Sequence, residues 1–280
     1  MARVLALIYG FLCYVVCLAT LLYAICFVGN ITPIEIGGTN WVPRTIDVAA
    51  STVASGVMGW ILNLILLSGF ALQHSVMARP SFKKIWTKVV PKAVERSTYV
   101  LLSSCVLILL FVYWVPMTNP IWTVTGPLAT VINAVFFLGF GIVALSTFMI
   151  NHFDLLGLRQ VVDNLQDKVR DGETFVTTGL YKLCRHPIML GFIVAFWAAP
   201  AMTVGHMLFS VLTTAYIFVA IVFEEKDLTD QYGDTYREYK KSTPKVFPFR
   251  RGQQPSEPVT NAVVKPRSHE AKEKETTSTG

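Results

Sequence analysis

Residues 188–223, IMLGFIVAFWAAPAMTVGHMLFSVLTTAYIFVAIVF, run for 36 positions without an Asp, Glu, Lys or Arg. A helix needs about 20 apolar residues to cross a hydrocarbon core. Once a turn around residues 200–205 is subtracted, this stretch is long enough only for a tight membrane hairpin. Each arm is close to the lower limit for spanning, and a re-entrant pair is the alternative to two full crossings. At one foot of the hairpin stand Arg185, His186 and Pro187, and at the other Glu224 and Glu225. A hairpin returns its feet to one membrane face, so a cationic pair and an acidic pair are expected to meet there. Charges are costly near lipid and mark functional sites.

The rest of the chain agrees with a membrane setting. Of 280 residues, 53% are hydrophobic and 15% charged, with a mean hydropathy of +0.50, too apolar for an ordinary soluble domain. Further uncharged runs at 4–28, 53–77, 97–115 and 128–150 are each near spanning length. The expected fold class is therefore all-α, a polytopic membrane protein with about six transmembrane helices. The first run is longer than a usual signal core, and no A-x-A-like cleavage site follows Val28, so it reads as a span.

Basic residues set the expected orientation. With the N-terminus inside, 23 of the 24 Lys and Arg residues fall on the cytoplasmic side, and Arg44 alone lies outside. Six crossings with both termini cytoplasmic is the economical reading. The net charge of +6 then reflects topology and contact with anionic lipid headgroups. No feature of the sequence points to a nucleic-acid or protein partner. The five cysteines form no metal-type pair, and their placement in spans or facing the cytosol argues against disulfides. The pattern suits a bacterial inner membrane.

Between spans, Arg79-Pro80, Phe82-Lys83-Lys84, Trp86 and Lys88 read as a basic, aromatic-anchored interfacial segment. A short surface helix is expected over about 158–169. His74, near the inner end of the second span, reads as a residue satisfied by a neighbouring helix. After Phe223, the spacing of Tyr232, Tyr236 and Tyr239 puts three rings on one helical face that can pack over the hairpin mouth. Residues 1–250 are expected to form the membrane domain. Residues 251–280, poor in large apolar side chains, are expected to be a disordered tail.

The mouth thus offers a guanidinium, an imidazole, a helix start at Pro187, two carboxylates and several tyrosines. Such a set suits a zwitterionic ligand with a cationic centre. Arg185 and a helix N-terminus can hold a carboxylate, Glu224 or Glu225 can take ribose hydroxyls or an amino group, and aromatic faces favour a sulfonium. S-adenosylmethionine has all of those parts, although a lipid phosphate would satisfy the same arginine.

The pattern Gly179-x-Tyr181-x3-Arg185-His186-Pro187-x3-Gly191, followed after the hairpin by Glu224-Glu225-x2-Leu228-x3-Tyr232-Gly233-x2-Tyr236-x2-Tyr239, Pro244 and Phe247-Pro248, resembles the C-terminal signature of the membrane methyltransferases related to isoprenylcysteine carboxyl methyltransferase. Met189 stands where many members carry tyrosine. Gln73-His74-Ser75, Ala78-Arg79-Pro80, Trp86, Pro91, Glu95-Arg96-Ser97-Thr98-Tyr99 and His152-Phe153-Asp154-Leu155-x-Gly157-Leu158 resemble the nurim-like branch, which includes the methanethiol S-methyltransferases. The resemblance implies S-adenosylmethionine as cofactor, held by Tyr181, Arg185, His186, Pro187, Gly191, Glu224, Glu225 and Tyr236, with His186, Glu224 and Arg185 nearest the chemistry. It implies methyl transfer to methanethiol, giving dimethyl sulfide. A small thiol needs a base or a positive field to form its thiolate, and His186, His152 and a glutamate are all candidates. Methylation of a lipidic acceptor, a non-catalytic nurim-like membrane protein and a nicotinamide-dependent membrane reductase are the competing readings.

Overall fold

The computed structural model describes residues 1–32, 34–48, 56–168 and 175–249. The expected tail at 251–280 lies outside the described residues. In chain order the elements are α1 (Ala2–Val28), β1 (Glu35–Ile36), β2 (Thr39–Asn40), α2 (Val57–Ala78), α3 (Pro80–Trp86), α4 (Lys92–Tyr113), β3 (Pro120–Thr123), α5 (Pro127–Ile150), α6 (His152–Leu155), α7 (Leu158–Leu165), α8 (Leu180–Leu183), α9 (Pro187–Trp197), β4 (Ala201–Thr203), α10 (Val204–Tyr232) and α11 (Asp234–Ser242). Five of these helices, α1, α2, α4, α5 and α10, are long and apolar enough to cross a membrane. The protein is an all-α polytopic membrane protein.

The hairpin is lopsided, one arm being much shorter than the other. α9 has 11 residues, about 16 Å of helix, roughly half of a hydrocarbon core. It stops at Trp197 because Pro200 follows closely and because Ala201–Thr203 pairs antiparallel with Pro120–Thr123. α10 then continues for 29 residues, carrying Glu224 and Glu225 inside the helix rather than beyond its end. The arrangement is five long helices plus a short one, whose far end leads into the strand that pairs with β3 between α4 and α5.

The chain divides into two compact units: the described residues of Met1–Lys168 with Ile188–Phe218, and those of Val169–Pro187 with Val219–Gly280. The first holds the apolar helices. Its outward faces carry Leu5, Phe11 and Leu12 of α1 and Leu128, Phe137 and Phe148 of α5, all exposed, as expected where lipid is the solvent. Its interior packs Phe27, Trp114, Phe136, Ala195 and Phe209 together. Asn63, fully buried, is paired with backbone. Asn63 donates to the Val115 carbonyl and accepts from the Val115 N–H, both at 2.9 Å, satisfying backbone that α4 leaves open at its end. α5 and α9 meet at Gly139 and Gly191, where a Cβ on either glycine would lie under 3 Å from the other's carbonyl oxygen.

The interfacial segment is found as α3, with Phe82 and Trp86 stacked at 5.7 Å. The surface helix expected over 158–169 is shorter, ending at Leu165. In the second unit, Tyr232 closes α10, Gly233 turns the chain with φ +59, and Tyr236 and Tyr239 lie on α11. The three tyrosines are therefore not on one continuous helix. They still converge on one core, around Phe175.

Candidate active site

Gly179, with φ +59, opens the short helix α8, a backbone region where a side chain is strained. Cys184 is extended, so Arg185 and His186 form a short strap before Pro187 begins α9. A second strap, beyond α11, lies against it: the Arg185 N–H donates to the Pro244 carbonyl at 2.9 Å and the His186 N–H to the Lys245 carbonyl at 3.1 Å. Between these backbone bonds the side chains of Arg185 and His186 reach Glu224 and Glu225 on α10.

Glu225 Oε1 is the focus of the cluster. It accepts from Arg185 Nε at 2.8 Å, lies 2.7 Å from Arg185 Nη2 and 3.3 Å from His186 Nε2. Lys240 Nζ stands 3.5 Å from Oε2 of the same carboxylate. Arg185 Nη1 donates to the carbonyls of Lys240 and Thr243, so this guanidinium is bonded to protein on every side. It acts here as a clamp that fixes Glu225 and ties the returning strap to α10.

His186, with a side chain only 4% exposed, has a carboxylate at each ring nitrogen: Glu224 Oε2 lies 3.4 Å from Nδ1. Burial alone would lower its pKa, but the two glutamates outweigh that effect and raise it. The ring is therefore held toward its imidazolium form, hydrogen-bonded to Glu225 and at ion-pair distance from Glu224. Glu224 is the open member, its side chain 42% exposed. Cys184, beside Arg185, is buried, and burial pushes its thiol up, the opposite of what a nucleophile needs.

Aromatic rings form the other wall. Phe175 lies 5.0 Å from Tyr232, 5.7 Å from Tyr236 and 5.3 Å from Tyr239. The Tyr239 hydroxyl donates to the Tyr181 carbonyl, locking α11 to α8. Tyr236 is 1% exposed, and its hydroxyl has no hydrogen-bond partner among the described residues. Burial, reinforced by Glu225, keeps that phenol protonated well above its ordinary range. An orphaned buried hydroxyl costs about 1–3 kcal/mol, which marks it as a group suited to a ligand. A cleft of about 290 Å³ adjoins the cluster, bordered by Val222, Glu225, Lys226, Thr229, Asp230, Lys240 and Lys245. It presents both charge signs, as a zwitterion requires.

The structure thus brings together Tyr181, Arg185, His186, Glu224, Glu225 and Tyr236 from the expected set, with Pro187 next in the chain. Gly191 belongs to the other unit, where it packs on Gly139 and Val143. Lys240, Lys245, the Thr243 carbonyl and Phe175 are members that the sequence reading missed. Lys240 directly follows Tyr239 in the motif and is legible in retrospect. Nothing in the sequence singles out Phe175.

Fold and site together define a polytopic helical membrane protein with a buried Arg-His-Glu cluster roofed by tyrosines. The NnrU protein family matches residues 61–248. Methanethiol S-methyltransferase 2 of Bradyrhizobium diazoefficiens is 47% identical over 247 residues, 88% of this chain and 91% of that protein. The methanethiol S-methyltransferase of Mycobacterium tuberculosis is 48% identical over 251 residues, 89% of this chain and 98% of its own length. A nurim homolog of Drosophila pseudoobscura pseudoobscura is 29% identical over 181 residues, 61% of this chain and 70% of that protein. No solved structure matches significantly. The chain belongs to the NnrU protein family, in the branch that contains these methanethiol S-methyltransferases.

Proposed function

We propose that this protein methylates methanethiol, with S-adenosylmethionine as donor, to give dimethyl sulfide. The observation that carries the reading is identity of 47–48% to methanethiol S-methyltransferases across 88–89% of the chain, together with an intact Arg185-His186-Glu224-Glu225 cluster. The site faces the cytoplasm of a bacterial inner membrane in this reading, supported by the segregation of basic residues.

S-adenosylmethionine, when bound, supplies a methyl group already activated by its sulfonium. The residues that would hold it are those of the cluster and its cleft. Lys240 and Lys245 suit a carboxylate, Glu224 and Glu225 suit an ammonium or ribose hydroxyls, and the Tyr236 hydroxyl gains the partner it lacks. Arg185 and His186 keep Glu225 and Glu224 in place. Tyr181 and Tyr239 hold α8 and α11 together as one wall. Pro187 ends the strap that carries Arg185 and His186. The chain's own work is then to orient two reactants and exclude water, which suffices for an in-line displacement at an activated carbon.

The test is headspace dimethyl sulfide from membranes containing the protein, given S-adenosylmethionine and methanethiol, beside Glu224→Ala and Arg185→Ala. Sulfide from the intact protein alone supports the reading. Cofactor binding without sulfide would redirect the search to lipidic acceptors, and absence of binding would sink the enzyme reading.

A further inference from the structure

One end of the first unit carries a cavity of its own. It lies where α1 and α9 finish and α5 and α10 begin. Its volume is about 170 Å³, and Val28, Asn30, Asn133, Phe136, Pro200 and His206 are among the residues that border it. A single water needs roughly 10–15 Å³ of such space, so the cavity admits a small organic group. Every residue bordering it belongs to the first unit.

His206 is 2% exposed. Its Nε2 lies 3.1 Å from the Phe196 carbonyl, which can only accept, so Nε2 carries the ring proton. Nδ1 is then a lone pair, and it is buried with no hydrogen-bond partner among the described residues. A buried acceptor without a donor costs about 1–3 kcal/mol. Asn133 of α5 is a second open group: its side-chain amide forms no hydrogen bond among the described residues, although it stands on a membrane-spanning helix, where polar side chains are costly.

The surroundings are electrostatically negative. No Lys or Arg borders the cavity. α1 and α9 both end beside it, and helix C-termini carry partial negative charge. Asp47, within electrostatic range of His206, accepts from Asn30 Nδ2 and Thr203 Oγ1, each at 2.6 Å. Both donors are neutral, and no basic side chain pairs with this carboxylate among the described residues. Asn30 Oδ1 accepts from the Thr45 hydroxyl at 2.7 Å, which keeps the amide nitrogen turned to Asp47.

We propose that this cavity binds a primary ammonium group. One N–H donates to His206 Nδ1 and another to Asn133 Oδ1, the positive charge answers Asp47 and the two helix ends, and a short carbon chain lies against Val28, Phe136 and Pro200. A quaternary ammonium has the charge but no N–H, and a neutral alcohol or thiol has the donor but no charge. Asn133 is exposed and shares α5 with Leu128 and Val131, exposed apolar residues on the lipid-facing surface, so the cavity is reached from the bilayer. The ethanolamine headgroup of a phospholipid is the form in which a bilayer presents this chemistry, and a free alkylamine is its other source. The site involves no covalent step and does not depend on the methyl-transfer reading.

The experiment uses the full chain with 15N-labelled histidine in phosphatidylcholine nanodiscs. Ethylammonium is expected to move the His206 Nδ1 signal, identified by its absence in His206→Phe, from the free toward the hydrogen-bonded pattern of a neutral ring. Tetramethylammonium is expected to leave it in place. Asn133→Leu, a change at an exposed position, is expected to weaken ethylammonium binding about 10-fold, the value of one hydrogen bond. Asp47→Asn is expected to weaken it about 10-fold or more, the range for a charged partner. Nanodiscs containing phosphatidylethanolamine are expected to give the same shift without added amine, which assigns the headgroup as the source; a response to ethylammonium alone assigns a free amine. No response to either source, an equal response to tetramethylammonium, unchanged affinity in both variants, or an Nδ1 already hydrogen-bonded in phosphatidylcholine alone, as a trapped water gives, would each overturn the proposal.

Discussion

Arg185 Nη2 and Glu225 Oε1 are 2.7 Å apart, with both side chains 7% exposed, and the same guanidinium bonds to the Lys240 and Thr243 carbonyls. One arginine therefore fixes a carboxylate on α10 and the strap beyond α11 at once. The bond is short and charge-assisted, but both ions have left water, so its net value depends on the partners remaining matched.

That dependence gives the first prediction. Arg185→Met leaves Glu225 buried with only His186 and Lys240, and is expected to cost about 3 kcal/mol, the lower end for a broken buried pair, and to abolish cofactor binding. Glu225→Gln is expected to cost a similar amount. Arg185→Met with Glu225→Met should recover most of the stability while binding stays lost. A double-mutant cycle by chemical denaturation checks this, and additive losses would show that the pair is not coupled.

A second prediction concerns pH. The folded-state pKa of His186 is raised by Glu224 and Glu225 in spite of burial. The folded form then binds the proton more tightly than the unfolded chain. The stability this contributes is fully present below the ordinary histidine value of about 6.5 and is lost as pH rises through the higher folded value. Thermal unfolding of the intact protein is expected to weaken across that window on the alkaline side, and His186→Gln to flatten the dependence. A stability that rises with pH there would contradict the geometry.

Much of this site was legible because its members sit at fixed positions beside two signals that sequence reports well, an uncharged apolar run and the charges that end it. Arg185, His186, Glu224 and Glu225 could be placed together from hairpin geometry alone. The lopsided hairpin was not legible, because α9 is as apolar as any span. What shortens it is the pairing of Ala201–Thr203 with Pro120–Thr123, a contact across about 80 residues that hydropathy does not encode. Gly191 illustrates the same limit. Its place in the motif reads equally as a ligand contact or a packing contact, and only coordinates reveal Gly139 opposite. The break at Gly233 likewise hid behind the regular spacing of Tyr232, Tyr236 and Tyr239.

Tyr236 yields a third prediction. Its buried hydroxyl has no partner among the described residues, so Tyr236→Phe removes an unsatisfied polar group while keeping the ring against Phe175 and Tyr239. Without cofactor the variant is expected to be as stable as the intact protein or up to about 1 kcal/mol more stable. If the hydroxyl serves the cofactor, affinity for S-adenosylmethionine is expected to fall about 10-fold, the value of one hydrogen bond. Unchanged affinity, measured by calorimetry, would remove Tyr236 from the binding set.

The last prediction separates packing from binding at Gly191. A Cβ there would lie 2.6 Å from the Gly139 carbonyl oxygen and 2.9 Å from the Val143 N, and backbone atoms within helix α5 cannot step aside as a flexible side chain can. α5 and α9 would have to separate, at about 1–3 kcal/mol for an overpacked core. Gly191→Ala is therefore expected to lower the unfolding midpoint. Gly141→Ala, on the same helix α5 but facing open space, serves as the control and is expected to be neutral or to stabilise by up to about 1 kcal/mol through helix propensity. Cofactor affinity per folded molecule should be unchanged in both variants if Gly191 is a packing residue. A Gly191→Ala protein of normal stability that no longer binds S-adenosylmethionine would return this glycine to the cofactor site.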